Sequence, residues 1–483
     1  MKASYIDYSE TNSFSPAIIR YLENDPELEP FCSFRADIDG FRKLIETKNN
    51  NCNREVLNEV LSDQYARLSR PAHQSVLNNI TQLLDKNTFT VTTGHQLNLF
   101  TGPLYFIFKI VTAINLAKEL KVNFPDKNFV PVYWMATEDH DFAEINHTYI
   151  ADKKVVWDIQ TAGATGRIST DDFANTLRNY TSTLGVSAHA EELSRLMTSA
   201  YAEHSNLADA TRSIVNSLFE EYGLVILDAD DKRLKKEFAG IIHRDITEQN
   251  SFNNISEADE KLLGLGLDIQ VNPREINFFY LEDGLRERIV FENDTYSVLN
   301  TGIKFNREEL LQEIEKNPER FSPNVVMRPL YQEVILPNLA YIGGAAEIVY
   351  WLQLKQNFNF YAIDFPILIL RNSAVLSSGN LSNKLSRLDL EFTDIFKKTE
   401  ELRKEWVKSH SAHVLNLDEE MQGFANIFEK LKTRASKIDP TLVASSDAVN
   451  ARLNKALKTL EGKLMRAEKR NYSDALNQID SLK

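Results

Sequence analysis

The sequence has only two cysteines, Cys32 and Cys52, among its 483 residues. That scarcity excludes a disulfide framework and a zinc site built mainly from cysteines, and it makes a reducing cytoplasm the expected location. No stretch approaches the ~20 consecutive apolar residues of a membrane span. The longest candidate, residues 104–117, is interrupted by Lys109 and Asn115. The N-terminus lacks the apolar core of a signal peptide, so no membrane association is expected.

Positive charge is also in deficit, because 55 lysines and arginines face 69 aspartates and glutamates, a net charge of −14. A strongly acidic chain is a poor binder of nucleic acid and of anionic membranes, so neither is expected as a partner. A local basic pocket for a small anion remains compatible with this charge. The hydrophobic content of 43% with 26% charged residues is typical of a folded chain and excludes a disordered one.

Short apolar runs that end in polar residues predict the strands of one sheet. The runs are residues 89–94, 129–136, 223–231 and 364–371. A helical pattern separates the first two, and a strand–helix–strand unit implies parallel pairing. We predict an α/β fold with an open parallel sheet, interrupted by insertions at roughly 155–215 and 250–320. The second insertion should contain an antiparallel meander turning at residues 282–284. Several independent small domains are the alternative.

The C-terminal part has a different pattern, with dense charges and apolar residues at helical spacing. One helix is expected to carry Leu385, Leu388, Phe392, Ile395 and Phe396 and to continue through Leu402 and Trp406. A second carries Leu453, Leu457, Leu460 and Leu464, which is the spacing of a coiled-coil seam. We therefore predict a core domain at 1–375 and a helical coiled-coil domain at 376–483. The seam either joins two subunits or closes a hairpin within one chain.

Ligands of open α/β sheets bind beyond the carboxyl ends of the strands, and this rule selects three segments. In the first, residues 92–103, Gly94 and Gly102 allow close backbone approach. Thr101 is expected to cap the following helix, whose N-terminus favours an anion. Further hydrogen bonds and charge are available from Thr93, Gln96, Asn98 and Lys109.

The second segment, residues 137–147, places four consecutive ionisable residues after an apolar strand. Glu138 or Asp141 is expected to orient His140 as an acid or base, with Asp139 and His147 as further candidates. The same cluster could instead hold a divalent metal ion, although its spacing matches no recognised ligand pattern. A solvated loop is the remaining alternative.

The third segment, residues 321–353, contains Arg328 within an apolar stretch. Arginine suits a carboxylate or phosphate held by two hydrogen bonds, and a structural ion pair is the alternative. A turn at 343–344 precedes a helix with Glu347 in its first turn. Elsewhere, Asp228 and Asp230 follow a strand and could bind a ribose or an amine, or simply form a turn.

Three stretches together closely resemble the bacillithiol biosynthesis cysteine-adding enzyme family, BshC. They are TGHQLNLFTGPLYFIFKIVTAINLAKEL, VPVYWMATEDHDFAEINH and FSPNVVMRPLYQEVILPNLAYIGGAAEIVYWLQLK. The resemblance covers essentially the whole chain. It implies a Rossmann-like core similar to class I aminoacyl-tRNA synthetases, with connecting-peptide insertions. It also implies a C-terminal α-helical coiled coil that forms a homodimer.

The same resemblance implies a ligase of the last step of bacillithiol synthesis, which joins cysteine to glucosaminyl-malate through an amide bond. ATP is the expected activator of the carboxylate, and no metal site is expected. The implied catalytic residues are His140, Glu138, Asp139 and Asp141. The implied substrate-binding residues are Thr93, Gly94, Gln96, Thr101, Gly102, Arg328, Gln332, Tyr341 and Glu347.

Two features of this chain depart from the family. Many members carry Gln at the position of His95, so His95 is not expected to be an essential catalyst. The family also usually continues beyond the helix with which this sequence ends, at Lys483. Two other functions are weighed against the ligase. One is a metal-dependent hydrolase that uses residues 138–141 with His147, and the other is a non-catalytic coiled-coil scaffold.

Overall fold

The computed structural model describes residues 3–49, 52–150 and 152–482. The chain divides into two compact units. One is Ser15–Ser373, and the other combines Met1–Phe14 with Ala374–Lys483. The sequence predicts a boundary after residue 375 and gives no indication that the first residues belong with the C-terminal part.

The strands, in chain order, are β1 (Thr88–His95), β2 (Asn128–Met135), β3 (His147–Ile150), β4 (Lys153–Val156), β5 (Val225–Asp228), β6 (Phe278–Glu282), β7 (Leu285–Glu292), β8 (Thr295–Val298), β9 (Lys304–Phe305), β10 (Phe321–Pro323), β11 (Asn338–Gly343) and β12 (Ile367–Leu370).

The α-helices of the first unit are α1 (Pro16–Leu22), α2 (Ile38–Thr47), α3 (Arg54–Ala66), α4 (Gln74–Gln82), α5 (Leu104–Asn123), α6 (Phe142–Ile145), α7 (Ala174–Thr183), α8 (Ala188–Glu203), α9 (Leu207–Phe219), α10 (Lys232–Glu248), α11 (Asn250–Gly264), α12 (Arg307–Lys316), α13 (Arg328–Ile335) and α14 (Ala345–Phe360). Those of the second are α15 (Gly379–Arg387), α16 (Thr399–His410), α17 (Asp418–Ile438), α18 (Leu442–Asn471) and α19 (Ser473–Asp480).

The centre of the first unit is a five-stranded sheet in the order β12-β11-β1-β2-β5. All four neighbouring pairs are parallel, which confirms the predicted α/β fold. β1 and β2 are buried along almost their whole length, as expected when helices cover both faces of a parallel sheet. Strand β11, which lies next to the central strand β1, is not among the predicted strands.

Helix α5 makes the crossover from β1 to β2 and supplies one wall of the core. Its buried Ala113, Ala117 and Leu120 belong to a cluster that also contains Phe89 of β1 and Ile342 of β11. Each fully buried Leu, Ile or Phe side chain stabilises the fold by about 1.5–3 kcal/mol relative to an exposed one. This packing fixes the carboxyl ends of the two strands at a common edge.

Two long connections interrupt the sheet, and the predicted insertions at 155–215 and 250–320 lie within them. The connection from β2 to β5 contains the β3–β4 hairpin and helices α7 to α9. The connection from β5 to β11 contains a second, antiparallel sheet in the order β10-β6-β7-β8-β9. Its β6–β7 hairpin turns at Asp283 and Gly284, which confirms the predicted meander.

The second unit is helical, but its first predicted helix is wrong. The expected continuous helix from Leu385 to Trp406 ends at Arg387 and resumes only at Thr399. Asp389 between them has a positive φ of 53°, which an α-helix does not accommodate. The second predicted helix is present as α18, and it packs against α17 across the short connection 439–441. The two helices therefore form a hairpin within the chain, but Leu460 and Leu464 of the predicted seam remain exposed.

Within the part of the chain that the structure describes, no helix has both the length and the apolar character needed to cross a membrane.

Candidate functional site

A cavity of about 850 Å³ opens at the carboxyl ends of four strands of the central sheet. His95 ends β1, Met135 ends β2, Tyr341 lies near the end of β11, and Arg371 follows β12. The β6–β7 hairpin of the second sheet contributes part of the opposite wall through Phe279. We call this cavity the main cleft. Its position is the one that strand topology predicts for a ligand site.

The main cleft has the opposite charge from the chain as a whole. Its basic side chains are Lys109, Arg274, Arg286, Arg288, Arg328 and Arg371. Its carboxylates are only Glu138, Asp139 and Glu347. The lining therefore has an excess of three positive charges in a protein whose net charge is −14. Such a concentration of one sign attracts an anionic ligand.

Arg328 begins α13 and reaches the cleft without a carboxylate partner. Its guanidinium donates to Gln332 Oε1 at 3.1 Å and to the Tyr350 hydroxyl at 3.4 Å. Among the described residues, no carboxylate oxygen lies within 4.0 Å of it. The predicted alternative, a structural ion pair, is therefore wrong. A partly buried cation without a counter-ion is costly unless a ligand supplies the negative charge.

Two of the three cleft carboxylates are already neutralised by lysines. Glu138 accepts from Lys235 Nζ at 2.5 Å, and that fully buried lysine also donates to the Phe321 carbonyl at 3.0 Å. Glu347 pairs with Lys109. Burial raises the pKa of the Glu138 carboxyl. Burial acts in the same direction on Glu347, but Lys109 outweighs it and lowers the pKa of that carboxyl.

Asp139 is the cleft carboxylate that has no lysine or arginine partner among the described residues. Its Oδ2 accepts from Gln96 Nε2 at 2.7 Å. Its Oδ1 accepts from the backbone N–H of His140 at 2.7 Å. These neutral donors fix the orientation of the carboxylate. Arg286 acts on it at longer range, without a direct ion pair among the described residues, so Asp139 is suited to a positively charged amine.

The prediction that Glu138 or Asp141 orients His140 is wrong. Glu138 is engaged by a lysine, and Asp141 accepts from a backbone N–H as the N-cap of α6. Instead, an arginine of β7, Arg286, lies 2.6 Å from Nδ1 of His140. The two residues are 146 positions apart. His140 is half exposed and does not itself line the cleft, but it lies beside two residues that do, Arg286 and Phe279, with its ring centre 5.5 Å from that of Phe279.

The metal alternative finds no support in this geometry. Among the residues that the structure describes, no three His, Cys, Asp or Glu side chains are arranged to hold a metal ion. His147 Nδ1 is hydrogen-bonded to the side chain of Asn146 at 3.0 Å. Within the 138–141 cluster, Glu138 and His140 contact the cations Lys235 and Arg286.

Thr101 and Gly102 lie outside the main cleft, and the expected N-cap role of Thr101 is wrong. Residues Leu99–Thr101 form a 3₁₀ turn, and α5 begins only at Leu104, with Pro103 at the N-cap position. Thr101 has a φ of 73°, so the chain leaves the turn in a left-handed conformation. Gly102 also has a positive φ, and a Cβ there would overlap the side chain of Asn98.

Of the remaining predicted binding residues, Gly94, Gln96 and Tyr341 line the main cleft, whereas Thr93 and Gln332 do not. Thr93 is buried, and its hydroxyl donates to the Ile342 carbonyl at 2.9 Å. A Cβ on Gly94 would lie 3.6 Å from both Arg328 and the Tyr341 hydroxyl. Gly94 therefore keeps the floor of the cleft open next to the arginine.

Gln332 is completely buried and acts behind Arg328 rather than in the cleft. Its Nε2 donates to Glu333 Oε1 at 2.9 Å, and this leaves its Oε1 directed at the guanidinium. Asn338 donates to the same Glu333 oxygen at 2.7 Å. Burial raises the pKa of Glu333 to about 7. The chain of contacts holds Arg328 in a fixed orientation.

His95 also lines the cleft, with its ring packed against Tyr105 and Phe106 at centroid distances of 5.5 and 5.4 Å. Burial, assisted by the nearby Lys109, lowers the pKa of His95 to about 3. The ring is therefore neutral at physiological pH. That His95 is not an essential catalyst stays a prediction.

Several cations that line the cleft, or lie directly behind its lining, come from distant segments and have no predicted role. Arg286 and Arg288 lie two positions apart on β7 and share one face of the strand. The alternation is visible in the sequence, but only folding brings these two side chains to the cleft at the strand ends of the central sheet. Lys235 lies on α10 and gives no sequence signal beyond an isolated basic residue.

Asp228 and Asp230 line a different cavity, of about 810 Å³. Arg167 donates to both oxygens of Asp230, at 2.8 and 3.0 Å. Asp228 accepts from the Thr137 hydroxyl at 2.5 Å. Both carboxylates thus have partners within the protein, which agrees with the turn-forming alternative.

A parallel α/β core with a ligand-sized cleft at its strand ends, followed by a helical domain, places the chain in the Rossmann-like class. The family model for the bacillithiol biosynthesis BshC N-terminal Rossmann-like domain matches residues 1–372. The model for the BshC C-terminal coiled-coil domain matches residues 374–483. The chain therefore belongs to the BshC family of bacillithiol biosynthesis, as its sequence motifs predict.

Curated relatives agree with this membership over the full length. A protein of Flavobacterium psychrophilum named "Putative cysteine ligase BshC" is 45% identical over 100% of this chain and 91% of its own length. Its namesake in Flavobacterium johnsoniae is 44% identical over the same shares. The one in Bacillus cereus is 28% identical over 95% of this chain and 88% of its own length. The similarity to aminoacyl-tRNA synthetases stays a prediction.

Proposed function

We propose that this protein is a ligase that joins the carboxyl group of cysteine to the amine of glucosaminyl-malate. The family membership supports bacillithiol biosynthesis, and the names of the relatives support a cysteine ligase. The observation that carries the proposal is Arg328, a cation in the cleft without a carboxylate partner among the described residues. It is suited to a carboxylate of the malyl group or to a phosphate.

The distribution of charge in the cleft suits the two kinds of group that this reaction brings together. The excess of basic over acidic side chains in the cleft lining favours the binding of carboxylates and phosphates. Asp139, which has no direct ion pair with a lysine or arginine among the described residues, favours an amine. We assign to Asp139 the binding of the acceptor amine and the uptake of the proton that the amine loses when the C–N bond forms.

A carboxylate does not react with an amine at neutral pH, so the cysteine carboxyl must first be activated. We propose ATP as the activator, since it supplies a phosphate or adenylate leaving group to the acyl carbon. Arg371, which lines the cleft beyond β12, is a candidate to hold its phosphates.

We further propose that two chains associate through the α17–α18 hairpin. Several large apolar side chains on this hairpin remain exposed although the helices already pack on each other: Phe424, Ile427, Leu431, Val449, Leu460 and Leu464. Exposed apolar surface of this kind favours association with a matching surface. Light scattering should give twice the mass of 55.3 kDa, and Ile427→Glu with Leu431→Glu should give the mass of one chain.

The activity is tested by incubating the purified protein with cysteine, glucosaminyl-malate and ATP and analysing the products by mass spectrometry. We expect the amide product together with AMP or ADP, and the nucleotide formed identifies the leaving group. Omission of ATP should abolish the product. For variants of the cleft arginine Arg328, the matched control is Arg42→Met, which removes an exposed arginine that pairs with Asp39 outside the cleft. Absence of product with every nucleotide would contradict the proposal.

A further inference from the structure

The contact between Arg286 and His140 fixes the chemical state of the histidine. The Arg286 guanidinium nitrogen lies 2.6 Å from His140 Nδ1. A guanidinium has five N–H donors and no acceptor. Nδ1 must therefore be the acceptor, and in a neutral imidazole the proton then resides on Nε2.

Arg286 is itself held in place by groups that accept its other protons. Its Nε donates to the Ser322 hydroxyl at 3.0 Å, and a terminal nitrogen donates to the Pro323 carbonyl at 3.2 Å. The guanidinium carbon also lies 4.1 Å from the centre of the Phe279 ring. These contacts aim one N–H of a rigid planar group at His140.

The charged groups around His140 oppose one another. Arg286 faces it from β7, and Asp139, Asp141 and Glu287 are the carboxylates nearby. Burial and the positive charge of Arg286 together lower the pKa of His140 below its ordinary value of 6.5, against the effect of the carboxylates. The neutral ring is therefore the dominant form at physiological pH.

We propose that Arg286 is a positioning residue that holds His140 as the neutral Nε2–H tautomer, which makes His140 a hydrogen-bond donor beside the cleft. This replaces the general-base role that the sequence predicts for His140, because the ring has no free lone pair while Arg286 is bound. The catalytic consequence rests on the proposed ligase reaction. An N–H donor next to Asp139 stabilises an oxygen that gains negative charge as the amine attacks.

The tautomer is tested without reference to activity, by nitrogen NMR of the full-length protein labelled with ¹⁵N-histidine. The His140 signals are assigned from their loss in His140→Gln. We expect a protonated Nε2 and a bare Nδ1 in the neutral ring. In Arg286→Met the pKa of His140 should rise and the tautomer preference should weaken. Arg286→Lys, which keeps a charged donor, should restore both in part.

The control is Arg42→Met, which removes an exposed arginine outside the cleft and should leave the His140 tautomer unchanged. A protonated Nδ1 in the wild-type protein would overturn the proposal whatever the variants do. So would an unchanged pKa of His140 in a folded Arg286→Met protein. Both outcomes can be measured by NMR even if the ligase assay finds no product. The tautomer proposal and the ligase proposal can therefore be refuted independently.

Enzyme activity provides a second test of the donor role of His140. Loss of one hydrogen-bond donor to a developing oxyanion lowers kcat by about 10²–10³-fold. His140→Ala should show such a loss, whereas His140→Gln, which retains an amide N–H donor at a similar reach, should recover most of it. Equal losses in the two variants would indicate a proton-transfer role and contradict the donor assignment.

Discussion

Replacement of Arg328 by methionine should weaken binding of a dianionic acceptor and leave the fold intact. A hydrogen bond to a charged group contributes about 1.5–3 kcal/mol. Since 1.4 kcal/mol corresponds to a factor of ten, loss of one such bond should raise KM for glucosaminyl-malate about 10- to 150-fold. An acceptor whose malyl carboxylates are converted to amides should lose far less, because it has no negative charge for Arg328 to bind.

The structure also predicts the effect of Arg328→Met on stability. Arg328 has no carboxylate partner among the described residues, so its removal leaves no buried negative charge behind. It does leave the buried Gln332 Oε1 without its donor, so we expect the free energy of unfolding to fall by about 1–3 kcal/mol. Truncation of one partner of a true buried ion pair would instead cost about 3–5 kcal/mol.

The assay is steady-state kinetics with the charged and the amidated acceptor, combined with urea unfolding of the same preparations. Arg42→Met, in which an exposed arginine is lost, provides the control for both measurements. An equal rise in KM for the two acceptors would refute the assignment of Arg328 to an anionic group. A loss of several kcal/mol in stability would show that Arg328 serves the fold rather than the ligand.

Three further predictions concern the groups around the cleft. Lys235→Met should lower the free energy of unfolding, measured in urea, by about 3–5 kcal/mol, because it leaves the buried Glu138 carboxylate without its positive partner. Adding Glu138→Gln should recover most of that loss. Gln332→Met should raise KM for the dianionic acceptor less than Arg328→Met does, and unchanged kinetics would contradict its orienting role. Burial raises the pKa of Glu333 from 4.5 to about 7, so the folded state retains a proton that the unfolded state releases between those values. Stability should therefore fall by about 3 kcal/mol as pH rises from 4.5 to 7, and subtraction of the Glu333→Gln curve from the wild-type curve should isolate that slope.

The parallel core was predictable because its strands are local signals. Each of β1, β2, β5 and β12 is a short apolar run that stops at polar residues, and such runs can be recognised from the sequence. The strand β11 was not recognised, since the glycine pair at 343–344 dominates that segment and reads as a turn. Arg371 was missed for a related reason, because its role depends on which strand lies beside β12.

The candidate site was predictable in position but not in its contacts. The rule for strand ends selects the segments of Gly94, Asp139 and Arg328, and all three line one cleft. The partners of those residues come from remote segments, as with Arg286 and His140, and no local pattern encodes such pairs. Local reasoning also failed at Thr101, because its positive φ results from packing of the whole turn.

The order of strands has a consequence for how the protein is made. β1 is the middle strand of the sheet, and its partner β11 follows much later, so that the paired Thr90 and Asn338 are 248 positions apart. At roughly 5–20 residues per second, a ribosome needs about 12–50 s to synthesise the intervening segment. Throughout that time the growing chain exposes an unsatisfied β edge, which is a point of attachment for aggregation. We therefore expect aggregation during synthesis to be reduced by low temperature, which slows encounters between growing chains, rather than by substitutions that stabilise the finished sheet.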